Sequence, residues 1–263
     1  MVEKSTSNYT AICTLSICPI RKKADEASEM ISQIIFGEQV DVLDQEGSWL
    51  FIKSRMDGYE GWVDEKLLSK TNFPYDDKSS NLYYCLDPSA AVMAGDDSRM
   101  VTFGAIMPDF DGISFKLNGE KFTFSGSAAR VDDLVLSEAL VHKMCRKYLN
   151  APYLWGGKTP FGVDCSGFVQ TVYRVLGVKL PRDAKDQAHI GMTIDFFSES
   201  MIGDLAYFTK ASNRISHVGI ILEDDRIIHA SGKVRIDRLD HIGIYNEETE
   251  KYTHNLRIIK RVF

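Results

Sequence analysis

The stretch that decides the fold of this chain reads Asp164-Cys165-Ser166-Gly167-Phe168-Val169. It follows a Gly- and Pro-rich loop, 151–157, and it opens an apolar run with helical spacing that stops at Gly177. This pattern predicts that Cys165 lies in the first turn of a helix. The unpaired backbone N–H groups and the positive end of the helix dipole favour a thiolate there. Cys165 is therefore a candidate nucleophile.

A base for this thiol is predicted further along the chain. Residues 215–222 and 226–230 have the pattern of two strands joined by the acidic turn Glu223-Asp224-Asp225. A three-residue loop places His217 and His229 on one face of the hairpin, where one imidazole can take the thiol proton and the other can orient it. A two-residue loop would place them on opposite faces. Taken singly, a buried cysteine or a strand histidine is more often structural.

The motifs in this half of the chain resemble, in their order, those of the NlpC-type family of bacterial cell-wall cysteine peptidases. The resemblance covers roughly residues 131–263. It implies a papain-like α/β core and hydrolysis of the bond between γ-D-glutamate and the following diamino acid in peptidoglycan peptides. The matching segments are 153–157, 164–169, 180–184, 203–205, 217–220 and 228–230.

The resemblance also implies roles for individual side chains. Cys165 would be the nucleophile, His217 the general base and His229 the orienting third member. The hydroxyl of Tyr153 would stabilise the oxyanion together with the backbone N–H of Cys165. The residues expected to bind substrate in the catalytic domain are Trp155, Asp164, Ser166, Arg182 and Asp183.

These substrate-binding roles have structural alternatives. Trp155 could pack under its own loop, and Asp164 could cap the helix that begins at Cys165. Arg182 could form an ion pair with Asp183. Both interpretations stay open from the sequence.

The N-terminal half has the pattern of an all-β region. Short apolar alternations broken by turn residues run from Tyr9 to about Thr71 and predict a small barrel. The segments 47–49 and 57–63 resemble a bacterial SH3-like domain. A second alternation surrounds the Asn118-Gly119 turn and weakly resembles a divergent second barrel. A helix over about 131–149, with a stripe of apolar side chains that includes Leu140, is expected to follow.

The expected fold class is therefore α+β, a papain-like cysteine peptidase domain preceded by one or two small all-β SH3-like barrels. The expected domains are 1–71 for the SH3-like domain, 72–128 for the divergent second one and 129–263 for the peptidase. Whether 72–128 is an independent domain stays open.

The first barrel has an expected role in substrate choice. Family members with this architecture include enzymes that require a free N-terminal L-alanine, and in them an acidic residue and a tyrosine of the first barrel hold the α-amine. The segments 28–33 and 57–62 match those regions, which implies that Glu29 and Tyr59 bind the ammonium group. The alternative is that Glu29 lies in a solvated loop and Tyr59 packs on Trp62.

Composition narrows the class of protein. A net charge of −6 gives no reason to expect a nucleic-acid partner, and no apolar stretch is long enough for a membrane span. The five scattered cysteines indicate neither a disulfide framework nor a zinc cluster, and we expect no metal or organic cofactor. Residues 1–8 lack the pattern of a signal peptide, which predicts a bacterial cytoplasmic protein, or an exported one if a leader has been removed.

We therefore expect a cysteine peptidase that hydrolyses the γ-D-glutamyl–diamino acid bond, with L-Lys or diaminopimelate as the diamino acid. Its partners would be peptidoglycan-derived peptides of the form L-Ala-γ-D-Glu-diamino acid, which places it in murein peptide recycling. One alternative is an endopeptidase that acts on intact cell wall. Another is a non-catalytic wall-binding SH3-like protein, for which a nucleophile and its base would have no use.

Overall fold

The structure is a computed structural model that describes residues 8–77, 79, 81–209 and 214–263. Residues 1–7, which belong to the segment considered for a signal peptide, lie outside the described residues. The chain divides into two compact units, Met1–Leu134 and Val135–Phe263. Over the described ranges, no helix combines the length and the apolar composition that crossing a membrane requires.

The first unit begins with seven antiparallel strands in the order β3-β2-β6-β5-β4-β1-β7. Alternate side chains along these strands are buried, and they form one apolar core that includes Ile20, Ile34, Val40, Leu50 and Val63. The predicted all-β character of this region is confirmed. The bounds are β1 Tyr9–Ile12, β2 Ile17–Arg21, β3 Met30–Ile35, β4 Gln39–Glu46, β5 Trp49–Ser54, β6 Glu60–Asp64 and β7 Ser69–Lys70, and the 3₁₀ helix Glu65–Leu67 precedes β7.

Seven more strands complete the first unit, in a four-stranded sheet β10-β9-β13-β12 and a three-stranded sheet β11-β8-β14. Asn118 and Gly119, with φ of 50° and 82°, connect β12 to β13 as the sequence predicted. The bounds are β8 Leu82–Cys85, β9 Ser89–Ala94, β10 Asp97–Thr102, β11 Ile106–Pro108, β12 Ser114–Leu117, β13 Glu120–Phe124 and β14 Ala128–Arg130, followed by the 3₁₀ helix Val131–Asp133.

The two parts of the first unit share an apolar core. Ile12 and Phe36 come from the first set of strands, yet they belong to the same cluster as Phe115 and Phe122 of the second. The rings of Phe36 and Phe122 meet edge to face at 5.6 Å. Because such close-packed side chains transmit displacements, this contact ties the seven-stranded sheet to the four-stranded sheet. The boundary at residue 71 stays a prediction.

Among its described residues, the second unit has three α-helices and two 3₁₀ helices. The helix predicted over about 131–149 is shorter than expected, because Ser137 caps a helix that begins only at Glu138. Its buried side chains are Val141, Met144 and Cys145, and Leu140 is only partly buried. The bounds are α1 Glu138–Cys145, α2 Cys165–Val175 and α3 Ala184–Gln187, with 3₁₀ helices at Arg146–Tyr148 and Phe197–Glu199.

The strands of the second unit form a small hairpin and a large antiparallel sheet in the order β17-β23-β18-β19-β20-β21-β22. Because β23 also pairs with β22, the six strands β18 to β23 close into a barrel. The bounds are β15 Lys158–Thr159 and β16 Gly162–Val163 for the hairpin, then β17 Met192–Ile194, β18 Leu205–Thr209, β19 Ile215–Leu222, β20 Arg226–Ser231, β21 Lys233–Leu239, β22 Gly243–Asn246 and β23 Lys251–Arg261.

Helix α2 packs against β19 and β20, which brings its N-terminus to the strands that carry the two predicted histidines. The start of the helix lies very close to the preceding loop. A Cβ atom on Gly167 would lie 2.2 Å from the carbonyl oxygen of Gly157, so this contact requires glycine. The helix ends as predicted, at Gly177 with a φ of 86°.

Candidate active site

Cys165 is the first residue of α2, as the sequence predicted. Its side chain is 7% exposed. Its sulfur accepts hydrogen bonds from the backbone N–H groups of Val218 and Ser166. Because Val218 follows His217 on β19, the thiol lies beside the strand that carries the predicted base.

The protonation of this thiol differs from the expectation based on the helix dipole. Burial, and to a smaller extent the carboxylate of Asp164, raise the pKa of the Cys165 thiol to about 12. The hydrogen bond from Val218, the charge of Arg182 and the hydrogen bond from Ser166 lower the pKa, but they do not offset burial. The resting thiol is therefore protonated at neutral pH, and it needs a base when it reacts.

The two predicted histidines meet inside the barrel. Leu222 pairs with Arg226 and Gly219 with His229, so the loop between β19 and β20 has three residues and the two-residue alternative is excluded. The distance from His217 Nε2 to His229 Nδ1 is 2.9 Å, and both side chains are buried. The predicted same-face arrangement is confirmed.

A carboxylate that the sequence analysis did not identify lies on the far side of His229. The distance from His229 Nε2 to Asp237 Oδ2 is 3.0 Å, and Arg235 donates from Nη2 to Asp237 Oδ1 at 2.9 Å. Asp237 belongs to β21 and pairs with Ile227, two residues before His229 on β20. Counting register across the tight Ser231–Lys233 connection would have placed it on the histidine face.

A third histidine, also not predicted, covers the ring of His217. The rings of His254 and His217 stack with centroids 4.2 Å apart and planes 26° apart. His254 lies on β23, where it pairs with Ile244 of β22. No local pattern marked His254, because its position depends on the closure of the barrel.

Tyr153 lies near the thiol. Its backbone N–H donates to the carbonyl of Gly232 at 2.9 Å, which ties this loop to the connection between β20 and β21. Burial raises the pKa of the Tyr153 hydroxyl, and the nearby Cys165 and Asp164 raise it further. The hydroxyl therefore keeps its proton at neutral pH and can donate a hydrogen bond.

Asp164, Ser166 and Arg182 form a buried cluster under the start of α2. The guanidinium of Arg182 binds the Asp164 carboxylate at 3.0 and 2.6 Å and donates to Ser166 Oγ at 2.9 Å. The same carboxylate accepts the N–H groups of Gly156 at 2.8 Å and Gly167 at 2.7 Å. The capping alternative for Asp164 is thus confirmed, and its contact with substrate stays a prediction.

The other two residues expected to bind substrate lie at the surface of the second unit. Trp155 is 60% exposed, so it presents a large apolar ring to solvent. Asp183 is partly buried and lies 3.9 Å from the ammonium of Lys185. Arg182 pairs with the carboxylate of Asp164 at 2.6 Å.

Glu29 and Tyr59 lie in the first unit, on neighbouring strands or next to them. β2 lies between β3 and β6, and Arg21 on β2 pairs with both Met30 and Trp62. Glu29 is exposed and its carboxylate lies 3.0 Å from the ammonium of Lys22. Tyr59 is partly buried. Their role in binding an amine stays a prediction.

Within residues 8–77, 79, 81–209 and 214–263, no group of three or more His, Cys, Asp or Glu side chains has a geometry that could hold a metal ion.

Comparisons with known families match both units of the chain. Residues 150–257 match the NlpC/P60 family, and residues 20–68 match the bacterial dipeptidyl-peptidase SH3 domain. The probable endopeptidase NlpC of Escherichia coli is 37% identical over 119 residues, which cover 44% of this chain and 77% of that protein.

Two longer relatives share both regions. The γ-D-glutamyl-L-lysine dipeptidyl-peptidase of Bacillus cereus is 27% identical over 78% of this chain and 68% of its own length. The enzyme of the same name from Bacillus subtilis is 29% identical over 76% of this chain and 71% of its own length. The crystal structure of an NlpC/P60 family protein from Bacillus cereus superposes with a TM-score of 0.82, covering 96% of this chain and 99% of that one at 22% identity, and so shares the fold.

Proposed function

The chain belongs to the NlpC/P60 family and is a cysteine peptidase, and from this premise we propose that it hydrolyses the bond between γ-D-glutamate and the diamino acid in peptidoglycan stem peptides. The substrate we propose is a soluble peptide that begins with L-alanine and is already released from glycan. L-Lysine or diaminopimelate would follow the glutamate. Such a reaction belongs to the recycling of murein peptides.

The proposal is supported most directly by a thiol that contacts the backbone of Val218, next in sequence to one member of a bonded pair of imidazoles. Cys165 Sγ accepts the N–H of Val218, and the neighbouring His217 is bonded to His229 at 2.9 Å. A nucleophile, a base and a group that orients the base are the elements that covalent hydrolysis of an amide requires.

The proposed reaction starts with attack of Cys165 Sγ on the γ-carbonyl carbon while its proton passes to His217. The negative oxygen of the tetrahedral intermediate accepts hydrogen bonds from the hydroxyl of Tyr153 and the N–H of Cys165. His217 then gives its proton to the departing amine, and an acyl-enzyme remains. Water, deprotonated by His217, releases the dipeptide and restores the thiol.

Hydrolysis of L-Ala-γ-D-Glu-L-Lys and of its diaminopimelate counterpart tests this proposal. We expect Cys165→Ala to lower kcat by on the order of 10⁴-fold or more, because no other group can form the acyl-enzyme. Cys145→Ala is the matched control, since it removes another buried thiol whose pKa is also raised to about 12. Retained hydrolysis in Cys165→Ala, with products identified by mass spectrometry, would refute the assignment.

For the free N-terminus, we propose that Glu29 and Tyr59 bind the α-ammonium of L-alanine. The match of residues 20–68 to a dipeptidyl-peptidase SH3 domain supports this proposal. Glu29 already pairs with an ammonium group, that of Lys22 at 3.0 Å. The side chains of Lys22 and Glu29 are 63% and 41% exposed, so this pair contributes little to stability, and a substrate ammonium can take the place of Lys22.

Two variants in the same loop test this part of the proposal. Glu29→Ala should lower kcat/KM for the free tripeptide by about tenfold to a hundredfold and should reduce the preference over the N-acetylated tripeptide. Glu26→Ala is the matched control, because Glu26 is an exposed carboxylate that lies 3.7 Å from Arg21. Equal kcat/KM in Glu29→Ala and the parent would exclude the assignment of Glu29.

A separate experiment distinguishes an enzyme that acts on soluble peptides from one that acts on intact cell wall. Purified sacculi and a mixture of soluble stem peptides are incubated with equal amounts of enzyme, and released peptides are identified by mass. Cleavage of soluble peptides alone is the expected result. Efficient release from sacculi would instead indicate an endopeptidase that acts on intact wall.

A further inference from the structure

A chain of polar contacts continues beyond the pair of histidines. His217 bonds to His229, and His229 bonds in turn to Asp237 at 3.0 Å. The side chains of His229 and Asp237 are 1% and 4% exposed, so water does not compete for this contact. The three groups thus form one continuous hydrogen-bonded chain.

The carboxyl group of Asp237 is ionised in this hydrogen-bonded chain. Burial by itself raises the pKa of the Asp237 carboxyl, but hydrogen bonds from His229 and Arg235 outweigh burial and hold the pKa below its ordinary value. Arg235 is anchored on its other side by Glu248, at 3.1 Å. A carboxylate in this state can only accept hydrogen bonds.

An acceptor at this position determines where the protons of both imidazoles lie. His229 must carry its proton on Nε2 to donate to Asp237, which leaves Nδ1 of the neutral ring as an acceptor. The 2.9 Å contact then requires His217 to donate from its own Nε2. Nδ1 of His217 consequently carries the lone pair.

We propose that Asp237 is a positioning residue that acts through His229 to keep His217 in the Nε2-protonated tautomer, so that Nδ1 is the basic nitrogen for the Cys165 thiol. The role of Cys165 in this statement rests on the proposed function, whereas the tautomers are properties of the resting protein. The groups that face this chain from the surrounding strands are Arg235 on β21, His254 on β23 and Glu248 in the turn between β22 and β23.

Nuclear magnetic resonance of the unmodified protein tests the tautomers without a variant. Long-range ¹H–¹⁵N spectra near neutral pH distinguish protonated from unprotonated ring nitrogens of each histidine. We expect His217 and His229 both to carry the proton on Nε2. A spectrum in which either ring is protonated on Nδ1 alone would overturn the proposal, whatever the enzyme's substrate.

Asp237→Asn tests the consequence for catalysis. Arg235 Nη2 donates to Asp237 Oδ1, and Arg235 Nε lies 2.9 Å from Oδ2, the oxygen that faces His229. In the orientation in which the introduced amide oxygen keeps the hydrogen bond from Nη2, the NH₂ group faces His229 Nε2. Nε2 must then accept, which moves the proton of His229 to Nδ1 and that of His217 to Nδ1, the nitrogen proposed as the base. We expect kcat to fall by at least about a hundredfold with KM little changed, as for the tautomer-reversing Asp→Asn change in trypsin-like enzymes.

Asp204→Asn is the matched control, because Asp204 is a buried carboxylate bonded to Arg261 at 2.7 Å in the same unit. Both variants should lose some thermal stability, but only Asp237→Asn should lose kcat and change the pH dependence of kcat. An equal effect of the two variants on kcat, with folding verified by melting, would reduce Asp237 to a structural role and refute the proposal. Failure of the proposed function would show differently, as absence of hydrolysis in the parent with the tautomers unchanged.

Discussion

Removal of the Arg182 guanidinium should leave a buried carboxylate without its cation and so lower the stability of the second unit. Arg182 and Asp164 form two hydrogen bonds of 3.0 and 2.6 Å, and their side chains are 1% and 8% exposed. In Arg182→Ala the Asp164 carboxylate stays buried without its cation. Removing one partner of a buried pair costs about 3–5 kcal/mol.

We expect the loss in the free energy of unfolding to be at the lower end of that range. The carboxylate keeps the N–H groups of Gly156 and Gly167, at 2.8 and 2.7 Å, so it retains part of its solvation. We therefore expect a loss of about 3 kcal/mol in the free energy of unfolding of the second unit. For a unit of this size that corresponds to a fall of roughly 10 °C in the melting temperature.

Differential scanning calorimetry is the assay, because it can separate the transitions of the two units. Arg226→Ala is the control: its pair with Glu247 also measures 3.0 Å, but the side chains are 38% and 51% exposed. Such a pair contributes about 0–1 kcal/mol. The double variant Arg182→Met, Asp164→Asn leaves no stranded charge and should melt above Arg182→Ala. If Arg182→Ala melts within about 2 °C of Arg226→Ala, our account of the cluster is wrong.

Two further predictions concern the same end of α2. Because burial raises the pKa of Cys165 to about 12, the rate of alkylation of this thiol by iodoacetamide should rise about tenfold per pH unit between about pH 7 and pH 9. A rate that is flat across neutral pH, measured against Cys165→Ala, would instead indicate a resting thiolate–imidazolium pair. Gly167→Ala should lower both kcat, by about a hundredfold, and the melting temperature, because the new Cβ would lie 2.2 Å from the Gly157 carbonyl oxygen and would displace the nucleophile. Unchanged kcat and melting temperature in Gly167→Ala would contradict that reason.

Local signals predicted the parts of the site that depend on neighbouring residues. A capping Asp164, a following apolar run and a terminal Gly177 define α2 almost completely, and the three-residue turn after Leu222 determines the face of His229. The Asn118-Gly119 turn was equally informative in the first unit. In each case the physical cause lies within a few residues of the predicted feature.

The features that the sequence analysis missed depend on contacts between distant segments. His254 reaches His217 only because β23 pairs with both β18 and β22. Arg182 is far along the chain from its partner Asp164, and the sequence offered the adjacent Asp183 as an equally plausible partner. The start of α1 was misplaced because apolar residues before Ser137 continue the helical spacing without being helical.

The barrel also limits where the chain can accept extra residues. The six strands form a closed ring, so β19 and β20 cannot slide past each other without breaking pairs on both outer sides. A one-residue shift of β20 past β19 would turn His229 to the opposite face, away from His217, so this register ties the position of His229 to the length of the turn Glu223-Asp224-Asp225. The turn between β22 and β23 holds no residue of the imidazole pair, so an insertion there should be tolerated. Natural variation in length among related chains should therefore accumulate at the second turn and spare the first.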